Sequence, residues 1–329
     1  MKILEVMTEH TTPFKVLIEV LKEILQETNM EFRCDLIDKN NDSKEKVTET
    51  EDNNDSDNDS EDEDEETKKE DKSGLKIMAV DTTKTVLINL RLDAKNFTKF
   101  RCKKRKLVLG VNLVYFHKLI KSMDKDDNLT LYVDNDDKNF LKIKIDNPEQ
   151  KKATNYKLKL LDLGNQPMHV PDITFDAVVI MNASEFHKIC REMSQIAEYV
   201  EIKCLKNKII FTCKGDYAER CTTYRTGEGE DGDGITIKLA GDNTKKNTPL
   251  IIQGIYELRN LVLFSKCSSL CNDIEIYMKN NYPLVIKYTV ATLGRILLCL
   301  TPINDETTKN DNFSEDDEYY SDGDVNVIL

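Results

Sequence analysis

The chain has 329 residues, enough for about two domains, and a formal net charge of −13, which by itself argues against a nucleic-acid partner. No stretch approaches the roughly 20 apolar residues that a membrane-spanning helix needs, and the N-terminus shows no signal peptide, so we expect a soluble intracellular protein with no membrane partner. Nine cysteines without a Cys-x-x-Cys pair favour reduced, buried thiols over disulfides or a metal site.

The negative charge is concentrated in two segments. Residues 38–73, the acidic segment, hold 17 Asp or Glu and 6 Lys, and residues 304–329, the acidic tail, hold 9 Asp or Glu and 1 Lys. Their net charges are −11 and −8, so the rest of the chain carries +6. Both segments lack the apolar residues that would offset the entropy of ordering, and we predict that both are disordered. The foldable part is mildly basic, which keeps a polyanionic partner open.

The residues before the acidic segment are predicted to form a strand, a helix and a second strand. A strand over 3–7 precedes Thr11-Thr12-Pro13, which has the hydroxyl cap and the early proline of a helix start. Apolar residues then recur at three- and four-residue spacing over 14–25, as in an amphipathic helix. A strand over 31–37 follows.

Beyond the acidic segment, strands are predicted over 75–80 and 86–92, with more strands as far as Leu109. An internal repeat follows, in which FHKLIKSM at 116–123 resembles FHKICREM at 186–193. Each copy is preceded by a strand-like stretch. A β-hairpin pattern follows each copy, over 129–134 with 140–145 and over 200–205 with 209–214.

A third, weaker copy consists of a helix predicted over 254–265 and strands over 274–278 and 284–290. Together with the first helix, the chain contains four helix-plus-sheet units, which predicts an α+β fold of two similar domains, each with two helices packed on antiparallel sheets. The predicted organisation is an N-terminal domain at 1–163, a connector at 164–172, a C-terminal domain at 173–303 and the acidic tail.

Basic residues occupy matching positions on the four predicted helices. They are three apart in the two strong repeats and seven apart on the first and last helices, so each pair lies near one helix face, opposite the apolar one. Any surface helix carries such residues, but four helices with a shared pattern favour a common polyanion, bound through its phosphates without base readout. The residues are Lys15, Lys22, Lys118, Lys121, Lys188, Arg191, Arg259 and Lys266.

The motifs of common enzyme sites are absent from the sequence. There is no phosphate-binding glycine loop followed by Lys and Ser/Thr, no His-Glu-x-x-His and no Gly-x-Ser-x-Gly, and residues 227–234 lack the ligand spacing of a calcium loop. His117 and His187 occupy equivalent repeat positions, which favours a structural role. We therefore expect a protein that is not an enzyme and has no cofactor or metal. The basic run 103–106 is open to interpretation as a nuclear-import signal, a phosphate contact or a solvated turn.

Several stretches, in the same order along the chain, resemble the proliferating cell nuclear antigen family, the eukaryotic-type DNA sliding clamps. The likeness spans 1–303 apart from the acidic segment. It rests on FRC at 100–102, GVNL at 110–113, KLIK at 118–121, YKLKLLDL at 156–163, EFHKICR at 185–191 and PLVIKY at 283–288.

This resemblance implies a homotrimeric ring of six similar domains, with helices lining a hole that encircles double-stranded DNA. It implies a processivity factor that binds DNA polymerase, a clamp loader and repair proteins, in a nucleus or in a cytoplasmic viral replication site. The residues facing DNA would be the eight basic residues above and Lys152. The connector would border a pocket for partner peptides with aromatic anchors, lined by Val80, Met168, Val170, Pro283, Thr301 and Pro302. The subunit interface would join the strand at 156–160 to the strand at 221–225 of the next subunit, through Tyr156, Leu158, Leu160, Cys221 and Tyr224.

The chain also departs from the family pattern. The acidic segment lies where the family has a tight turn, a place that tolerates added length at little cost in loop-closure entropy. Cys299 replaces a tyrosine of the pocket wall, and Val16 stands where the family often has a lysine. Lys206 matches a lysine that the family modifies with ubiquitin-like proteins. The acidic segment and the acidic tail could repel DNA from the outer surface.

Two alternatives differ from a homotrimeric clamp. The chain could be a specialised subunit of the same fold, either one that pairs with two different subunits or a processivity subunit that forms no ring. An acidic histone-chaperone-like protein would instead use the acidic segment and the acidic tail as its working parts.

Overall fold

A computed structural model describes residues 1–34, 73–164, 173–227, 234–239 and 251–303. The acidic tail and almost all of the acidic segment lie outside these residues, as do Met168 and Val170 of the predicted pocket. The described chain divides into two compact units. The first comprises Met1–Pro171, Cys267–Asn272 and Lys287–Leu298, and the second comprises the residues between these segments and those that follow Leu298.

The first unit contains two helices and most of the strands. The helices are α1 (Thr11–Ile24) and α2 (Leu113–Ile120). The strands are β1 (Lys2–Thr8), β2 (Glu27–Arg33), β3 (Gly74–Val80), β4 (Val86–Asp93), β5 (Lys99–Cys102), β6 (Lys106–Asn112), β7 (Asn128–Asp134), β8 (Asp137–Asn147) and β9 (Lys152–Lys159). A 3-10 turn, Ala94–Asn96, follows β4.

The second unit repeats the combination of two helices and antiparallel strands. Its helices are α3 (Ala183–Met193) and α4 (Leu258–Ser265). Its strands are β10 (Ala177–Asn182), β11 (Tyr199–Leu205), β12 (Lys208–Lys214), β13 (Glu219–Arg225), β14 (Thr236–Leu239), β15 (Ile252–Glu257) and β16 (Asp273–Met278). Strands β17 (Leu284–Val290) and β18 (Gly294–Leu300) contribute residues to both units, and Lys266–Leu270 form a 3-10 turn.

The sheets are antiparallel, and alternating apolar residues give each of them a buried face. In the first unit, one sheet has the order β5-β1-β7-β8-β9, and the strands β17-β18-β4-β3-β2-β6 are successive neighbours in another. In the second unit, β13-β12-β11-β15 form one sheet and β14-β10-β16 are neighbours in another. Along β4, for example, every second residue from Val86 to Leu92 is buried.

Three local predictions are wrong. The hydroxyl of Thr11 does not cap α1, because it donates instead to the main-chain oxygen of Asp124 (2.9 Å). Residues 254–257 are the end of strand β15 and not the start of a helix, because they pair with β11. The second strand begins at Glu27, four residues earlier than the predicted Glu31.

Candidate nucleic-acid interface

In the first unit, α1 and α2 pack against each other through their apolar faces. Phe14 of α1 and Phe116 of α2 are fully buried and meet edge to face, with ring centroids 6.3 Å apart. The first residue of α2 lies one position beyond Asn112, whose side-chain oxygen accepts a hydrogen bond from the Tyr115 N–H (3.0 Å). This contact satisfies one of the open N–H groups at the start of the helix.

The predicted basic residues of α1, Lys15 and Lys22, are half-buried, and they do not form a purely basic stripe. The ammonium of Lys15 donates to the main-chain oxygen of Met123 (2.7 Å), beyond the end of α2. The ammonium of Lys22 pairs with Glu23 (2.9 Å), and Glu19 is exposed on the same helix. This exposed surface of α1 therefore carries two positive and two negative side chains, which corrects the prediction of a basic stripe here.

The surface of α2 is basic. Lys118 and Lys121 are exposed, and the Lys118 ammonium lies 5.4 Å from the ring centroid of Tyr115, itself 57% exposed. Lys152 is exposed at the start of β9 and lines a small polar hollow with Ser122, the residue after Lys121. The structure thus brings Lys152 to the C-terminal end of α2.

His117 lies between the charged side chains of the two helices. Burial, with the positive charges of Lys22 and Lys121, lowers its pKa, while Glu19 and Glu23 oppose that shift. The imidazole therefore stays neutral near pH 7 and adds no positive charge to this surface.

The second unit shows a similar arrangement on α3. Lys188 and Arg191 are exposed, while the acidic residues of the same helix are engaged elsewhere: Glu192 pairs with Arg220 of β13 (2.7 Å), and Glu185 accepts from the Tyr224 hydroxyl (3.4 Å). The exposed surface of α3 is therefore positive. The equivalent of Asn112 is Asn182, whose side chain accepts from the N–H groups of residues 184 and 185.

Helix α4 packs beside α3, and a basic residue directly follows its last residue. The Nδ1 atom of His187 lies 2.9 Å from the Ser265 hydroxyl, which donates to the main-chain oxygen of Val262. Lys266, exposed, directly follows α4, whereas the Arg259 guanidinium pairs with Glu257 (2.7 Å). The structure thus places α3 and α4, with the predicted basic residues on them or directly after them, next to each other in the second unit.

The strands predicted to join subunits lie at the ends of their sheets. β9 is last in its sheet and β13 is last in the four-stranded sheet, so each has one side without a strand neighbour among the described residues. On β13, Cys221 is exposed and Tyr224 turns towards α3. Burial, followed by the nearby Glu185 carboxylate, raises the pKa of Tyr224 to about 12, so its hydroxyl remains a donor. On β9, Leu158 is buried and Tyr156 is half-buried; Leu160, half-buried, follows the strand.

The described residues of the predicted peptide pocket belong to different units. Val80 is half-buried in the first unit, and Pro283, Thr301 and Pro302 are half-buried or exposed in the second.

Neither a metal cluster nor a membrane-spanning helix is found among the described residues. No cluster of three or more His, Cys, Asp or Glu side chains there could hold a metal ion. None of its helices is both long enough and apolar enough to cross a membrane.

Comparisons with known proteins agree with this fold. Residues 64–167 match the model of the N-terminal domain of proliferating cell nuclear antigen, and residues 169–303 match that of its C-terminal domain. A structure of proliferating cellular nuclear antigen from Entamoeba histolytica has the same fold, with a TM-score of 0.70, 20% identity, and coverage of 92% of this chain and 100% of that one. The predicted α+β clamp fold is therefore confirmed.

Two viral proteins are similar in sequence. A probable DNA polymerase sliding clamp of Acanthamoeba polyphaga mimivirus is 32% identical over 92% of this chain, which spans 62% of that relative's length. Probable DNA polymerase sliding clamp 1 of Paramecium bursaria Chlorella virus 1 is 31% identical over 70% of this chain and 85% of its own length. The chain belongs to the proliferating cell nuclear antigen family.

Proposed function

We propose that this chain is one subunit of a ring-shaped DNA sliding clamp, a processivity factor that encircles duplex DNA and holds a DNA polymerase on it. Membership of the family, with relatives named DNA polymerase sliding clamps, carries this proposal. A clamp catalyses no reaction of its own, and its contribution is to keep a partner near the template. Family membership favours this function over an acidic histone-chaperone-like activity.

The proposed DNA contact is sparse and does not depend on sequence. Eight basic residues lie on the four helices or directly after them, and Lys152 lies near the C-terminal end of α2. Four acidic residues on the helices reduce the net attraction. Contacts of this kind bind phosphates through Coulomb attraction and counterion release without reading bases. Weak contact suits a clamp, because the ring keeps it on DNA while the surface lets it move.

The proposed assembly is a homotrimer closed by strand pairing between β9 of one subunit and β13 of the next. Both strands lie at sheet ends, and an open strand edge offers N–H and C=O groups to another chain. Opening such a ring requires a clamp loader, and partners would bind the pocket beside the connector. The viral relatives favour a viral replication site as the place of action.

Size-exclusion chromatography with light scattering tests the assembly. We expect a particle of three times the 37.9 kDa chain mass at micromolar concentration. A monomer would overturn the homotrimer. Trimerisation only after a different subunit is added would favour the specialised clamp with unlike subunits.

A further inference from the structure

A sheet face of the first unit carries a concentration of positive charge that the proposed DNA contact does not use. On strands β2, β3, β4 and β6, alternate residues point into the core, and the others form the opposite, half-buried or exposed face. We name this surface, with the adjoining residues of β17, β18 and the turn after β4, the basic sheet face. Its basic members are Arg33, Lys76, Arg91, Lys95, Lys106, Lys287 and Arg295.

Strand register makes these side chains neighbours. Arg33 of β2 lies opposite Lys106 of β6, and Lys76 of β3 lies opposite Arg91 of β4. Arg91 and Arg295 both line two adjoining hollows of about 630 and 270 Å³. The larger hollow also includes Lys95 and Lys287, and the smaller one includes Arg33 and Lys76.

Local acidic residues only partly balance this charge. Glu31 pairs with Arg33 and with Lys106 (3.0 Å), and Asp93 pairs with Arg91 (3.3 Å). Glu27 is exposed on the same face, at the other end of β2 from Arg33, so the face holds seven basic side chains against three acidic ones. Burial lowers the pKa of Lys76, as do the positive charges of Arg33, Lys106 and Arg91, while Glu31 opposes them. A net positive charge on a surface attracts a polyanion.

The described residues nearest to the two ends of the acidic segment, Cys34 and Ser73, border this face. The chain leaves β2 at Cys34, whose N–H donates to the main-chain oxygen of Arg105 (3.1 Å), in the basic turn that leads into β6. It returns at Ser73, which is buried, lines the larger hollow and accepts a hydrogen bond from the Ala94 N–H (3.1 Å). Arg33 and Gly74 lie opposite each other in the β2–β3 pair, so the chain is held beside the basic residues on both sides of the segment.

The length of the segment suits such an occupant. A flexible chain of 36 residues has a root-mean-square span of about 30–36 Å, and six neighbouring strands at about 4.8 Å spacing cover roughly 24 Å. Tethering at both ends raises the local concentration of the segment at the face to about the millimolar range. Its net charge of −11 is opposite in sign to that of the face.

We propose that the basic sheet face is the binding site of the chain's own acidic segment, residues 38–73. The contact is electrostatic, between lysine and arginine side chains and a run of carboxylates, and salt weakens it. An occupied face is not available to DNA phosphates. The proposal does not depend on ring closure and can hold or fail separately from the clamp function.

Binding of the segment in trans tests the proposal. The full chain is prepared with the Asp and Glu residues of 38–73 replaced by Asn and Gln, which keeps the length and removes the negative charge. We expect a labelled peptide of sequence 38–73 to bind this charge-neutralised chain at least about tenfold more tightly than the unaltered chain, in which the tethered copy competes. Equal affinity for both chains would overturn the proposal.

Substitutions in the charge-neutralised chain then locate the site. Lys76→Gln, Arg91→Gln and Arg295→Gln together are expected to weaken peptide binding by about tenfold or more. The matched control changes three exposed lysines outside the face, Lys138, Lys206 and Lys238, to Gln and is expected to leave binding unchanged. An equal loss in both triple variants would contradict a defined site, as would a peptide of the acidic tail that binds as tightly as the peptide 38–73.

Zero-length carbodiimide cross-linking of the unaltered chain needs no substitution. We expect cross-links from Lys76, Lys95 and Lys287 to carboxylates of 38–73, at least several-fold above those from Lys138 and Lys206, and lost in high salt. Cross-links spread evenly over all five lysines would refute the assignment.

Discussion

At the scale of single residues, α2 and α3 present basic side chains to solvent, and the acidic side chains of α3 have local partners. Lys118 and Lys188 occupy equivalent positions in the two repeats and are exposed. The spacing of basic residues was readable from the sequence, because a helix returns to the same face after three, four or seven residues. The partners of the acidic residues were not readable from the sequence, since Glu192 of α3 pairs with Arg220 of strand β13.

Changing Lys118 and Lys188 to Ala together should weaken DNA binding at all sequences equally. Each lost phosphate contact should reduce the slope of log affinity against log salt by about 0.9. Fluorescence anisotropy with a short duplex over a salt series measures this slope. Lys138→Ala with Lys206→Ala, two exposed lysines outside the helices, is the control, and the same loss in that control would argue against a specific DNA-facing surface.

His117 should make folding stability depend on pH. Its pKa is lowered in the folded state, so the unfolded chain binds more protons below the ordinary histidine value of 6.5. The free energy of unfolding should therefore fall as pH drops below about 6.5, and His117→Gln should remove part of that loss. Urea unfolding of both proteins at pH 7.5 and 5.5 checks this. An unchanged pH dependence in the variant would contradict the role given to His117.

At the scale of elements, both repeats begin their helix with the same device. Asn112 and Asn182 each cap a helix that starts on the next residue. The sequence carries this signal, an Asn four residues before the Phe of each repeat, but the repeat was recognised only from that Phe onward. At Thr11 a cap was predicted where there is none. A hydroxyl near a helix start predicts a cap, but the sequence does not show that the carbonyl oxygen of a residue 113 positions away accepts its hydrogen bond.

Asn182→Ala should lower the free energy of unfolding by about 1 kcal/mol, since it leaves two N–H groups of α3 without their side-chain acceptor. Asn182→Asp, which keeps an oxygen acceptor, should cost less. Chemical denaturation of the three proteins provides the comparison. An equally large loss with Asp would point to packing and not to capping.

The strands were predicted more accurately than the start of the last helix. Alternation of apolar residues identified β3, β4, β7, β8, β11 and β12, because each has one buried face. Residues 254–257 were assigned to the helix predicted over 254–265, whereas pairing with β11 makes them a strand. Long-range pairing of this kind leaves no local mark in the sequence.

The open edges of β9 and β13 can be tested through charge. The exposed residues of β9 include Lys157 and Lys159, so a lysine on the facing strand should repel them, since like charges across a strand pair are destabilising. Cys221→Lys should therefore shift the trimer towards smaller species, while Cys221→Glu, of similar size and opposite charge, should not. Light scattering over a dilution series measures the shift. If both variants dissociate equally, β13 is not part of the subunit interface.

At the scale of the whole molecule, the sequence predicted the family and the α+β fold, because dispersed motifs in a fixed order are a property of the entire chain. The net charge of −13 concealed the basic surfaces, because the acidic segment (−11) and the acidic tail (−8) together carry more negative charge than the whole chain. The basic sheet face was not predicted either. Its residues come from six strands, and only their register brings them together.

The central claim is that DNA passes through a ring. Blocking the ends of a linear duplex tests this claim without a clamp loader. A clamp reaches a linear duplex over its free ends, so binding should be lost when both ends carry streptavidin beforehand. Blocking the ends after loading should instead trap the protein on the duplex in high salt, and restriction cleavage of that duplex should release it. Equal binding with ends blocked from the start, and no trapping afterwards, would contradict encirclement.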